Sequence, residues 1–389
     1  MQKKSNNFLI NGNGFRSITA ALMLRKRFPK AKINLEKNKS FGGIYSSIKF
    51  KNFHLDLGCH LFDYTDDEFL KLYEIRSAKI IPLDLKYKSI NNYGSTNGYA
   101  IYDFRNNPEI KLLQKNFFSN IKKKRQNYKI DNLNDLYLKK YGPLIKKKIE
   151  KIVTKITGLS LKKISSRSNQ FFMFDRILLF NTKESLKFKS MGFDNDLATP
   201  SKYNHDYSKK KIIFTFVNGT RGFVQHVENL FKRKNIGFDQ KKNQKRICVV
   251  NPISETKIIE KYAVNVPLHI IYLECKKFPY TYFHDFSDGP IFRVSSPGFY
   301  SNQYKNKKSY VCIEIPDPKN LFSKNDLIDY SINYINKYSK AKYLNYFFVS
   351  KSYPSIYKSS LKSKKIKYSF DYSKKLIFKN TKQLINEIK

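Results

Sequence analysis

Close to the N-terminus, Gly12, Gly14 and Ser17 follow the apolar run Phe8-Leu9-Ile10, and Glu36 stands 22 residues after Gly14. The first glycine of such a set makes a sharp turn, and the second lets backbone approach a charged ligand. The N–H groups exposed at the start of a following helix then attract a phosphate. A carboxylate at the tip of the next strand accepts hydrogen bonds from ribose hydroxyls. The chemistry is that of dinucleotide binding, with Ser17 where the pattern usually carries a third glycine. Gly42-Gly43 comes six residues after Glu36 and reads either as an ordinary loop or as a second close approach of backbone to the same ligand. Asp56-Leu57-Gly58-Cys59-His60-Leu61-Phe62 then brings a glycine and a histidine toward the same crevice.

The elements that must position these residues follow from the pattern around them. Phe8 to Ile10 predicts a short strand. Residues 18, 21, 22 and 24 give Ile18 to Arg27 a helical apolar face, Pro29 stops that helix, and Ala31 to Leu35 alternates as a second strand ending at Glu36. Strand, helix and strand of this length form a βαβ unit of a parallel sheet. Helical texture runs from about Asn132 to Ile164, interrupted at Tyr141-Gly142-Pro143. Ile212 to Val217 returns to strand and leads through Gly219-Thr220-Arg221-Gly222 into an amphipathic helix with Phe223, Val224, Val227, Leu230 and Phe231, expected to end near Gly237. Ile247 to Val250 is another short strand, and Leu268 to Ile315 alternates as an antiparallel sheet would.

Composition narrows the classes of function. The 389 residues correspond to two or three domains with ample apolar content for a core. Lys and Arg number 75 against 31 Asp and Glu, a formal charge of +44, which points to polyanionic partners. Only 12 of those 75 are arginine, and base and phosphate recognition lean on arginine's planar fork, so no specific nucleic-acid role is expected. Lysine as solvated surface, an anionic small molecule, and peripheral contact with an anionic membrane all remain consistent with the charge. No run approaches the ~18 apolar residues of a membrane span. Asn11-Gly12-Asn13-Gly14 interrupts the apolar stretch too early for a signal peptide. Cys59, Cys248, Cys275 and Cys312 are scattered without metal spacing, so a reducing, cytoplasmic setting and no structural metal are expected.

The segment Phe8 to Phe62 resembles the amine oxidase and protoporphyrinogen oxidase-like flavoproteins, a group that also includes UDP-galactopyranose mutase. Gly12, Gly14, Ser17, Glu36, Gly42, Gly43 and the Asp56–Phe62 segment carry the likeness. Weaker matches follow in order. They are Asn134 to Gly142, Val217 to Phe223, Cys248 to Pro252, Tyr282-Phe283 through Phe292-Arg293-Val294 and Glu314-Ile315, and Tyr353-Pro354. Two departures stand out. Little room is left between Gly237 and Ile247 for a β segment that in relatives serves the adenine side. In addition, no glycine occurs from 299 to 389, so Lys379-Asn380 replaces the glycine turn between Leu376-Ile377-Phe378 and a final helix from Thr381 to Ile388.

The resemblance implies an α/β fold: a Rossmann-like FAD/NAD(P)-binding domain with a discontinuous substrate domain made of an antiparallel sheet and a helical insertion. The cofactor domain is expected from 1–64, 212–258 and 345–389, the helical insertion from 65–211 and the substrate sheet from 259–344. FAD is the implied cofactor, with Gly12, Gly14, Phe15, Ser17, Glu36, Lys37, Gly42, Gly43, Gly58 and His60 around it. His60 and Arg293 are the implied catalytic residues, and Tyr282, Tyr300 and Tyr353 are candidates for a substrate wall. The implied activity is hydride transfer from a small-molecule substrate to flavin. Two alternatives stay open: a flavin-dependent sugar-nucleotide mutase, for which Arg167 and Arg176 are the available diphosphate ligands, and a binding or scaffold protein that has lost the flavin.

Overall fold

The computed structural model describes residues 7–36, 41–63, 67–76, 79–98, 101–123, 130–193, 196–199, 213–239, 247–250, 262–301, 309–352, 356–360, 381–383 and 385–386. In chain order, β1 (Asn7–Ile10), α1 (Phe15–Arg27) and β2 (Lys32–Glu36) open the fold. They are followed by β3 (Ser47–Phe50), β4 (Phe53–Asp56), β5 (Phe62–Asp63), β6 (Ile80–Pro82), β7 (Tyr87–Asn91) and β8 (Gly94–Asn97). The later strands are β9 (Ile213–Phe216), β10 (Ile236–Asp239), β11 (Ile247–Val250), β12 (Val266–Cys275), β13 (Tyr282–Asp285), β14 (Arg293–Ser295), β15 (Ser309–Pro316) and β16 (Ala341–Ser352).

The expected βαβ unit is present, and its strands lie in a four-stranded parallel sheet ordered β10-β2-β1-β11. Ile18, Ala20, Ala21, Leu22 and Leu24 of α1 are buried against it, small residues letting helix and sheet approach closely. The helix ends where Phe28 N–H donates to Leu24 O at 2.7 Å. The Arg25 guanidinium then ties that end down by donating to the carbonyls of Pro29, Ala31 and Asn235. The following helix, Gly219–Arg233, stops before Gly237, which belongs to β10 beside β2. The β segment that seemed to lack room is therefore supplied immediately after the helix.

The second sheet has seven strands in the order β16-β12-β15-β14-β13-β7-β8, antiparallel except between β13 and β7. Alternation along its central strands sorts side chains to two faces. Leu268, Ile270, Tyr272, Tyr310 and Cys312 join one core with Leu113, Phe117, Tyr137, Tyr141, Ile149 and Val153 of the helices Ile110–Lys123, Leu133–Tyr141 and Pro143–Thr157. Ile271, Leu273, Val311, Ile313 and Ile315 join another with Leu327, Tyr334 and Ile335 of the helix Lys324–Asn336. Covered on both faces, β15 is buried at every residue. The sheet takes β7 and β8 from the stretch read as helical insertion, and β16 runs through position 345, where the return to the cofactor domain was drawn.

At the C-terminus, residues 381–383 and 385–386 are helical, and Ile385 is buried in the core of the parallel-sheet unit. Its carbonyl accepts from Arg27, and Lys382 pairs with Glu68 at 3.0 Å. Leu376-Ile377-Phe378 and Lys379-Asn380 lie outside the described residues.

One half-buried cation fixes the helical layer to the sheet. Lys155 Nζ donates to the carbonyls of Asp285, Ser287 and Ile291 at 3.2, 2.8 and 2.8 Å, holding the turn after β13 against the helix Pro143–Thr157. Lys155→Met keeps the stem's packing but leaves three acceptors unpaired, and should cost about 3 kcal/mol in chemical denaturation.

Candidate functional site

The glycines at the end of β1 and after β2 form a cradle. Gly12 has φ +81°, and its N–H donates to Glu36 Oε2 at 3.3 Å, so the turn and the acid at the tip of β2 hold one another. Ser17 Oγ donates to Asn11 O at 2.8 Å and fills the space beside Gly12, which is how serine substitutes for a third glycine. Gly42 N–H donates to Asn13 O at 3.0 Å, and Gly14 and Gly42 are bridged in parallel. Gly42 at φ +98° has no room for a side chain, since a Cβ would lie 2.7 Å from Val224.

Gly14 differs from these. Its φ of −81° and ψ of −176° are open to any residue, and a Cβ built on it meets nothing nearer than Gly43 Cα at 4.0 Å. Neither backbone nor packing demands glycine there. It begins α1, whose N-terminus has no side-chain cap and no acid in its first turn. A bare helix start beside an unfilled glycine face can receive an anion. Phe15 contributes only its backbone to this face, because its ring is buried among Tyr45, Phe69, Tyr73 and Phe223. Lys37 lies outside the described residues.

Beyond the cradle, the hairpin of β3 and β4 delivers Asp56 to a junction between the two sheets. Its carboxylate, only 1% exposed, accepts from Thr220 Oγ1 at 2.7 Å and Thr220 N at 3.2 Å, at the first turn of the helix Gly219–Arg233. Its backbone is held from the other side: Tyr272 donates to Asp56 O, while Tyr310 accepts from Asp56 N and donates to His54 O. Burial pushes the Asp56 carboxyl up to about 7 against the opposing pull of the two Thr220 hydrogen bonds.

The loop after Asp56 carries the other expected residues. Gly58 has φ +100° and lies over Glu314, whose Oε1 would be 3.0 Å from a Cβ. His60 Nε2 is 2.8 Å from Leu57 O, and its ring packs on Tyr45 at 5.0 Å between centroids, so the imidazole is braced within its own loop. Arg293 is the other implied catalytic residue. The carboxylate it meets is the chain's own: it donates to both oxygens of Glu314, directly opposite on β15, at 2.9 and 2.6 Å. This fork neutralises a glutamate that is 2% exposed and brings Arg293 and Gly58 together through it. Tyr300 OH is 3.8 Å from Cys59 Sγ beside this loop, Tyr282 packs on Tyr87, and Tyr353 lies outside the described residues. Asp56, Thr220 and Glu314 stand in the sequence only as members of longer motifs with no role of their own, and Tyr272 and Tyr310 carry no signal there; Glu314 is also marked as an acid inside the otherwise apolar run of β15.

No protein-family model matches the chain, and no curated protein matches its sequence. Solved structures do match. Reduced UDP-galactopyranose mutase superposes with a TM-score of 0.66 at 14% identity, covering 90% of this chain and 83% of that one. An Exiguobacterium sp. 255-15 protein provisionally assigned as protoporphyrinogen oxidase gives 0.58 at 11% identity, with 89% and 86% covered. An oxidoreductase from Methanosarcina mazei gives 0.56 at 10%, with 89% and 88% covered. The chain has their fold. The first two names belong to the flavoprotein group that Phe8 to Phe62 resembles, and the mixed parallel and antiparallel architecture matches it along nearly the whole chain. Among the described residues no group of side chains is arranged to hold a metal ion, and no helix is long and apolar enough to cross a membrane.

The raised Asp56 value has a consequence for stability. A carboxyl whose folded value lies above its unfolded one binds its proton more tightly in the folded state, so its contribution is largest at low pH and is lost as pH rises between about 4 and 7. Asp56→Asn removes this ionisation, and its melting temperature should fall less steeply across that window than the wild type's in a calorimetric pH series.

Proposed function

We propose that the protein is an FAD-dependent oxidoreductase that takes hydride from a small, anionic or polar molecule. The observation that carries this reading is Gly14: a glycine that the fold does not need, at an uncapped helix start, facing a second glycine pair and a terminal glutamate. A dinucleotide fits these residues. The α1 N-terminus would receive the pyrophosphate, Glu36 would accept from ribose hydroxyls, and Gly42-Gly43 would offer backbone without side-chain bulk. Bound there, FAD would supply hydride acceptance at its isoalloxazine ring. The chain's own part is to hold and to exclude. The Gly58–His60 loop, which leaves the anchored Asp56 and lies over Glu314, would form one wall of the site, with the His60 ring packed on Tyr45. Asp56 is sealed from solvent and acts by positioning this loop, not by exchanging protons with substrate.

A sugar-nucleotide mutase is the second reading, supported by the 0.66 score against UDP-galactopyranose mutase. It requires cations for a diphosphate, and Arg293, beside the Gly58 loop, is already committed to Glu314. The oxidoreductase reading makes no such demand.

The purified protein should be yellow, with a band near ~450 nm and FAD recovered by mass spectrometry. Protein that is colourless and takes up no added FAD while its circular dichroism is intact would instead favour a flavin-less scaffold. Gly14→Glu isolates the site from the fold: an acid at a helix start suits the helix dipole, so the melting temperature should hold, while the carboxylate occupies the pyrophosphate position and flavin content should drop at least tenfold. Full retention of FAD by that variant would place the phosphate elsewhere.

A further inference from the structure

The outer edge of the seven-stranded sheet is β16, which pairs with β12 on its inner side. Tyr343 and Phe348 stand 43% and 45% exposed along it. Their partners in the register, Leu273 and His269, place both on the face that also carries the helix Lys324–Asn336. The loop before that helix adds Leu321 and Phe322, 71% and 41% exposed. These are large apolar groups in water from two different elements, and such a cluster marks an interaction surface.

The cluster is rigidly mounted. Asp317 accepts from the backbone N–H groups of Leu321 and Phe322 at 2.9 and 3.0 Å, which fixes the loop. The same carboxylate lies 3.4 Å from His269 Nε2. His269 Nδ1 is 2.9 Å from Tyr346 OH, and the His269 ring packs on Phe348 at 5.1 Å between centroids. Loop and strand therefore share one buried Asp–His support. Beside them, Lys319 and Lys324 are exposed, and Lys324 lies over the Tyr346 ring at 5.0 Å. The exposed acids of the adjoining helix are Asp326, which caps it with Ser323, and Asp329.

We propose that this face docks on an anionic lipid bilayer, with Leu321, Phe322 and Phe348 entering the headgroup boundary and the lysines meeting acidic lipids. Aromatic and leucine side chains with a lysine border suit that interface, and the chain's +44 charge draws it toward such a surface. A second copy is the less favourable occupant, because two chains of +44 net charge repel one another, whereas an acidic bilayer attracts that charge.

Co-sedimentation of the full chain with vesicles tests this, using phosphatidylcholine alone against phosphatidylcholine mixed with phosphatidylserine. The wild type should partition onto the mixed vesicles and be weakened by salt. Leu321→Ser/Phe322→Ser/Phe348→Ser leaves the net charge untouched and should bind at least tenfold more weakly, with circular dichroism confirming its fold. Lys319→Glu/Lys324→Glu, which alters only exposed side chains, should lose binding too, while Lys147→Glu/Lys151→Glu on the helix Pro143–Thr157 should lose much less. Three results overturn the proposal: no binding by wild type, undiminished binding by the apolar variant, which would mean diffuse charge alone, or a concentration-dependent dimer abolished by that variant, which would make the patch a self-interface.

Discussion

A carboxylate buried where two sheets meet is the constraint on which this architecture turns. Asp56 is gripped at its side chain by Thr220, from the helix that returns to the parallel sheet, and at its backbone by Tyr272 and Tyr310, from the antiparallel one. Removing an ionised group from water is costly unless hydrogen bonds replace hydration. Two donors to the carboxylate reduce the penalty without abolishing it, which is why the group holds its proton to about neutrality. The return is geometric: the chain leaves Asp56 in a fixed direction, and the Gly58 loop, His60 and the wall over Glu314 inherit that direction.

The cradle shows how one glycine motif serves two masters. Gly12, Gly42 and Gly58 occupy backbone regions that a side chain strains, and Gly42 also has a neighbour within its Cβ sphere. Those residues belong to the fold's own requirements. Gly14 does not, and so it alone speaks for a ligand. A motif read only as a string gives all of them equal weight; the backbone angles separate them.

The parts legible in the sequence were those whose cause is local. The βαβ unit declares itself through three short patterns in succession, and the Gly142 break through a glycine and a proline between two helical runs, realised as a φ of +84° with Pro143 opening the next helix. What stayed hidden depends on pairing across long separations. The β7 and β8 strands are short and largely polar, and only their place beside β13 makes them strands. Thr220 meets Asp56 across 164 positions, and Arg293 meets Glu314 across 21, with nothing in either neighbourhood to name the partner. The helix before β10 ends at Arg233, short of Gly237: the glycine reads as a stop, but here it is a strand residue close against Asn34.

The fork between Arg293 and Glu314 leaves the wall beside the Gly58 loop without net charge, in a protein whose surface is overwhelmingly positive. Long-range attraction and short-range choice are thereby assigned to different residues. The lysine field gathers anions from solution within a screening length of about 10 Å at moderate salt, indifferent to their shape. The ion pair adds no net charge of its own to that field, and with both partners already satisfied the wall offers contour and hydrogen bonding, not an unpaired charge.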